Sequence, residues 1–101
     1  MRLDTVAVAG ARFARALLDG AAAAGCPALL LRSRSRPWVS ATFQGSRHRV
    51  WLATPDTDAA RAWIAALPEA EFHLPRQLVA DLAARRDGAE LEVEALVLDE
   101  A

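Results

Sequence analysis

A chain of 101 residues, 53% apolar and 25% charged, is sized for one folded domain and is too rich in apolar side chains for a disordered segment. A single cysteine, Cys26, excludes an internal disulfide and a cysteine-built zinc site, and a net charge of −1 gives no global pull toward nucleic acid or membrane. That near-neutrality is a cancellation: residues 1–50 carry eight Arg against Asp4 and Asp19, whereas residues 51–101 carry four Arg against eleven acidic residues.

All twelve basic residues are Arg, the planar donor that suits carboxylates and phosphates alike. Only "VAVAGA" precedes Arg12, too short for a secretory h-region. Arg12, Arg15 and Asp19 interrupt the apolar run from Val6 to Leu31, so no membrane span is expected there. The expectation is a soluble, cytoplasmic protein.

In chain order, Leu3, Val6, Gly10, Phe13 and Leu17 recur at helical spacing. Asp4 can cap the start and Gly25-Pro27 stops the run, which predicts a helix over about residues 4–24. A rival reading makes "VAVAG" a strand that opens a βαβ unit, but Gly10 lacks the partner glycines of a phosphate loop.

"ALLL" follows as an expected strand, and Arg32, Arg34 and Arg36 as an inter-strand loop, since three like charges on one side of a strand repel. "WVSATFQ", "GS" and "RHRVWLA" then predict a hairpin turning at Gly45-Ser46. Its register pairs Phe43–His48, Ala41–Val50 and Val39–Leu52 on an apolar face. Thr42–Arg49, Ser40–Trp51 and Trp38–Ala53 fall on a polar one.

Pro55, Asp56 and Thr57 open a second helix, to about residue 67, which Pro68 ends. The last third is ambiguous between a helix in "PRQLVADLAARR" and a hairpin turning at Asp87-Gly88. The hairpin is favoured because Arg85–Glu90, Ala84–Leu91, Leu82–Val93, Ala80–Ala95 and Leu78–Val97 then pair sensibly, at the cost of setting Asp81 against Glu94.

The expected architecture is one α+β domain over residues 1–101: an antiparallel sheet of about five strands with two helices on one face, in the order α-β-β-β-α-β-β. This order resembles that of small dimeric modules such as the secretion chaperones of the type III class, a likeness of topology with no shared motif.

Candidate partner-binding residues are Arg32, Arg34, Arg36, Trp38, Arg47, Arg49 and Trp51. Arg neutralises phosphates and tryptophan rings stack bases, which would suit single-stranded nucleic acid. The same residue types dominate protein interfaces. A third reading is charge matching: Glu90, Glu92 and Glu94 recur with period two, so Arg47 and Arg49 are neutralised if those strands are neighbours.

His48 and His73 are read as structural, and Cys26, at a helix C-terminus, as a poor nucleophile. No cofactor and no metal site are expected. The reading is a non-enzymatic interaction module, homodimeric, with a protein partner as a further option. Single-stranded nucleic acid or an anionic ligand on the Arg/Trp face is the alternative. A small enzyme is a second alternative, requiring a pocket that gathers Arg34 or Arg36 with His48 or His73.

Overall fold

In the computed structural model, which describes the backbone of residues 2–100 and the side chains of 5–100, helix α1 spans Arg2–Ala23. Its Gly10, Phe13, Ala14, Leu17 and Ala21 form one buried stripe, as the spacing predicts. The side chains of Leu3 and Asp4, and with them the expected cap, lie outside the described residues. The helix ends in a Schellman motif: Gly25 takes φ 78°, its N–H donates to Ala22 O at 3.1 Å, and the Cys26 N–H donates to Ala21 O at 2.8 Å. The rival strand over "VAVAG" is thereby corrected to helix.

Strand β1 runs Leu29–Val39 without interruption and pairs antiparallel with β2, Gln44–Ala53. "ALLL" and the arginine segment are therefore one edge strand, bulged at Leu31, and the sheet has four strands rather than five. The loop expected at Arg32–Arg36 is corrected to strand. Repulsion among these arginines is tolerated in a strand because they stand exposed on an uncovered face where water solvates them.

The hairpin turns at Ser40–Phe43, where the Ser40 N–H donates to Phe43 O and the Phe43 N–H to Ser40 Oγ. The expected Gly45-Ser46 turn is thus displaced. Gly45 serves a different need: a Cβ there would lie 2.0 Å from the Val97 carbonyl oxygen, so the residue permits close approach of β2 to the next strand. Displacing the turn changes β1's partners to Arg36↔Arg47, Arg34↔Arg49 and Arg32↔Trp51.

Helix α2 spans Asp58–Ala66 and begins at Thr57, whose hydroxyl accepts the Ala60 N–H at 3.1 Å. A 3₁₀ turn over Leu67–Glu69 contains Pro68 and leads to β3, Gln77–Asp87, and β4, Glu90–Asp99. Gly88, at φ 63°, opens the two-residue turn between them. The C-terminal third is therefore the hairpin, not the helix. Its register is Arg85↔Glu92, Ala84↔Val93 and Leu82↔Ala95, two residues from the expected one, and so keeps the same faces; Asp81 meets Leu96 instead of Glu94. A bulge after Val79 then reverses the facing of Leu78, which is 58% exposed rather than in the core.

The strand order is β1-β2-β4-β3, all antiparallel, an α+β architecture. Phe13 and Leu17 of α1 and Leu67 after α2 pack with Val50, Leu52, Leu82, Leu91, Val93, Ala95 and Val97 in one core, so both helices cover the same face. No layer covers the other face among the described residues. Among the described residues, no helix is long and apolar enough to cross a membrane.

Candidate functional site on the uncovered sheet face

Three registers together place every outward side chain on a grid. Reading across β1, β2, β4 and β3, the successive rows are Trp38, Gly45, Leu98, Leu78; then Arg36, Arg47, Leu96, Asp81; then Arg34, Arg49, Glu94, Ala83; then Arg32, Trp51, Glu92, Arg85; then Leu29, Ala53, Glu90, Asp87. All seven residues expected from the sequence share this face. The displaced turn brought Arg32, Arg34 and Arg36 onto it beside Arg47, Arg49, Trp38 and Trp51.

Strand order decides the charge question. Because β2 adjoins β4, Arg49 stands opposite Glu94 and donates from Nη2 to Glu92 Oε2 at 2.7 Å, while Arg85 reaches Glu92 Oε1 at 3.2 Å. The Arg49 hydrogen bond draws the Glu92 carboxyl below its ordinary range, and the same bond holds Arg49 more firmly in its charged form. Arg32 and Arg49 both lie over the Trp51 ring, their guanidinium carbons 4.2 and 5.0 Å from its centroid. Those contacts leave Trp51 only 5% exposed on a face that no helix covers.

Arg34, Arg36 and Arg47 make no hydrogen bond or ion pair with the described residues. Arg36 faces Arg47 and Arg34 faces Arg49 directly across the β1–β2 ladder, the arrangement in which like charges destabilise a sheet. The four guanidinium residues line a shallow depression of about 380 Å³ with Ser35 and Glu94. Internal charge matching thus accounts for Arg49 and leaves Arg34, Arg36 and Arg47 unmatched among the described residues.

At one end of the grid the face becomes apolar. Trp38, Leu96 and Leu98 are half-buried, Leu78 is exposed, and Phe43 in the turn is 53% exposed. Sequence reasoning missed this end. Leu96 and Leu98 have the parity of Glu90–Glu94 and were legible from it, whereas Leu78 depends on the β3 bulge.

His48 lies on the opposite, helix-covered face and is fully buried. Ser35 Oγ and Ser46 Oγ each sit 2.7 Å from one of its ring nitrogens, and Phe13 stacks on it at 5.8 Å. Burial lowers its pKa, favouring the neutral ring. The Ser–His pair has the spacing of a nucleophile and base. However, α1 presses on the hydroxyl so closely that a Cβ on Gly10 would lie 2.3 Å from Ser35 Oγ. The helix therefore packs directly on the Ser35 hydroxyl, and Ser35, His48 and Ser46 form a polar cluster beneath it.

His73 is exposed beside Leu74 and Pro75, in a groove along α1 away from the arginine grid. The enzyme reading requires a pocket gathering Arg34 or Arg36 with a histidine, but the arginine depression contains no histidine and the groove that holds His73 contains neither arginine. Cys26 is buried, and desolvation raises its pKa, which disfavours the thiolate. No cluster of three metal-ligating side chains occurs among the described residues. No family model, no curated protein and no solved structure matches the chain.

Proposed function

We propose that this protein is a non-enzymatic interaction module that works through the uncovered face of its sheet and takes up a carboxylate-bearing protein surface. The opposed arginines of β1 and β2 carry this reading. Two directly facing like-charged pairs weaken the hairpin that holds them, and an incoming carboxylate removes that repulsion while accepting bidentate bonds from the guanidinium forks. The adjoining Trp38, Leu78 and Leu98 supply the apolar contact area that a purely electrostatic site lacks.

A single-stranded nucleic acid is favoured less. Base stacking needs an open ring face, and Trp51 is already covered by two guanidiniums.

Titrating isotope-labelled protein at low salt with a glutamate-rich peptide tests the reading. Amide shifts should gather on Arg34, Arg36, Arg47 and Arg49 and vanish in an Arg36→Glu/Arg47→Glu variant. Absent shifts in a monomeric sample, or shifts gathered on α1 and α2, would overturn it. Tighter, salt-sensitive binding of a random single-stranded oligonucleotide at the same residues would replace it with the nucleic-acid reading.

A further inference from the structure

We infer, building on the interaction-module reading, that the protein surface this face accepts is a second copy of the chain, laid face to face about a twofold axis parallel to the strands. Charge is distributed across the strands and not along them. The β1–β2 half of the face carries Arg32, Arg34, Arg36, Arg47 and Arg49, while the β4–β3 half carries Glu90, Glu92, Glu94, Asp81 and Asp87 with only Arg85 to offset them.

A twofold axis along the strands reverses each row upon itself, so β1 lies over the partner's β3 and β2 over its β4. Arg36 then meets Asp81, Arg49 meets Glu94, and Trp38 meets Leu78, each pair occurring twice. Arg47 meets Leu96, and Arg34 meets Ala83. One row sets Arg32 against Arg85, with Glu92 of the same sheet beside Arg85.

The other symmetric arrangements place like upon like. An in-plane axis across the strands lays β1 on β1 and the arginine columns on each other. Pairing two β1 edges into one continuous sheet aligns Arg32, Arg34 and Arg36 of both copies along a single face. Isologous contacts require a self-complementary patch, and only the strand-parallel axis makes this one so.

The area is sufficient. Four strands at about 4.8 Å spacing and ten residues at about 3.4 Å rise give a face of roughly 19 by 34 Å. Two such faces bury on the order of 1,200 Å², within the range of specific interfaces. The aligned geometry is also the ordinary way in which two sheets stack.

Sedimentation equilibrium of the full chain at low ionic strength should return twice the 10.9 kDa chain mass. Arg36→Asp and Asp81→Arg are exposed positions whose replacement leaves the core intact, and each alone should weaken association by about tenfold or more. An equimolar mixture of the two variants should dimerise again, because each then presents the charge that the other lacks.

A monomeric wild type that still shows the peptide-induced shifts would overturn the second copy and leave the interaction face standing. A monomer with no such shifts would overturn both. A dimer indifferent to both substitutions, or variants that stay monomeric when mixed, would overturn the face-to-face arrangement.

Discussion

On the helix-covered face of the sheet, Val50, Leu52, Leu91, Val93 and Val97 are 0–1% exposed, and the buried His48 has a serine hydroxyl at each ring nitrogen. One residue further along the same strands, on the other face, come Arg47, Arg49, Glu92 and Glu94, and opposite them arginines without an ion-pair partner among the described residues. Identical backbone pairing supports both. The difference teaches that the fold is specified almost wholly by one set of alternate residues, which leaves the other set free to carry charge in a pattern that stability alone would not select.

Core substitution tests this division most severely. Leu52→Ala should cost about 3 kcal/mol in denaturant unfolding, whereas Leu78→Ala, on the outer face, should change monomer stability by less than about 0.5 kcal/mol. Equal losses would erase the distinction. Gly10→Ala should cost about 2 kcal/mol by pushing the helix off Ser35. Much of that cost should disappear in a Ser35→Gly background, as a double-mutant cycle would measure.

Acid should act through the covered face first. The folded-state pKa of His48 lies below its ordinary 6.5, so the folded protein binds fewer protons than the unfolded chain. Stability is therefore full above about pH 6.5 and falls as pH drops from there toward the folded value. Thermal melting across this range should show the decline in wild type and a flatter profile in His48→Gln. Glu92 contributes only further down, because its lowered pKa places its loss below the ordinary carboxylate value of 4.5.

The smallest effect has the most telling sign. Arg36→Glu replaces a like-charged cross-strand pair with an opposite one and should raise monomer stability by a few tenths of a kcal/mol at low salt. The same change should abolish binding on that face. A variant both less stable and unable to bind would show that the arginines serve the fold after all.

Much of this division was legible in the sequence. The parity of His48, Val50 and Leu52 against Arg47, Arg49 and Trp51 assigned both faces of β2 correctly, and period two alone placed Glu90, Glu92 and Glu94 together. What failed were turns and bulges. Gly45 looked like a turn residue because glycine suits both a turn and a close backbone approach, and only tertiary contact with Val97 distinguishes them. The bulges at Leu31 and after Val79 each change a strand's facing by one residue without any glycine or proline to mark them. The location of Arg32–Arg36 followed from the first error, and the missed apolar end at Leu78 from the second.

The strand order also bears on how the chain finds its shape. It divides the protein into two consecutive units, α1-β1-β2 and α2-β3-β4, each a helix followed by a hairpin whose strands are near neighbours in sequence. Only β2 and β4 must meet across a long intervening segment, so closing that loop is the expected slow step in folding. A chain severed between Pro55 and Asp56 would yield two halves that each keep a local hairpin but leave half a core uncovered. Mixed together, they should reassemble through β2 and β4 and recover the circular dichroism of the intact protein, while neither alone does so. Halves that fold independently, or that fail to recombine, would show that the seam is not where the fold is decided.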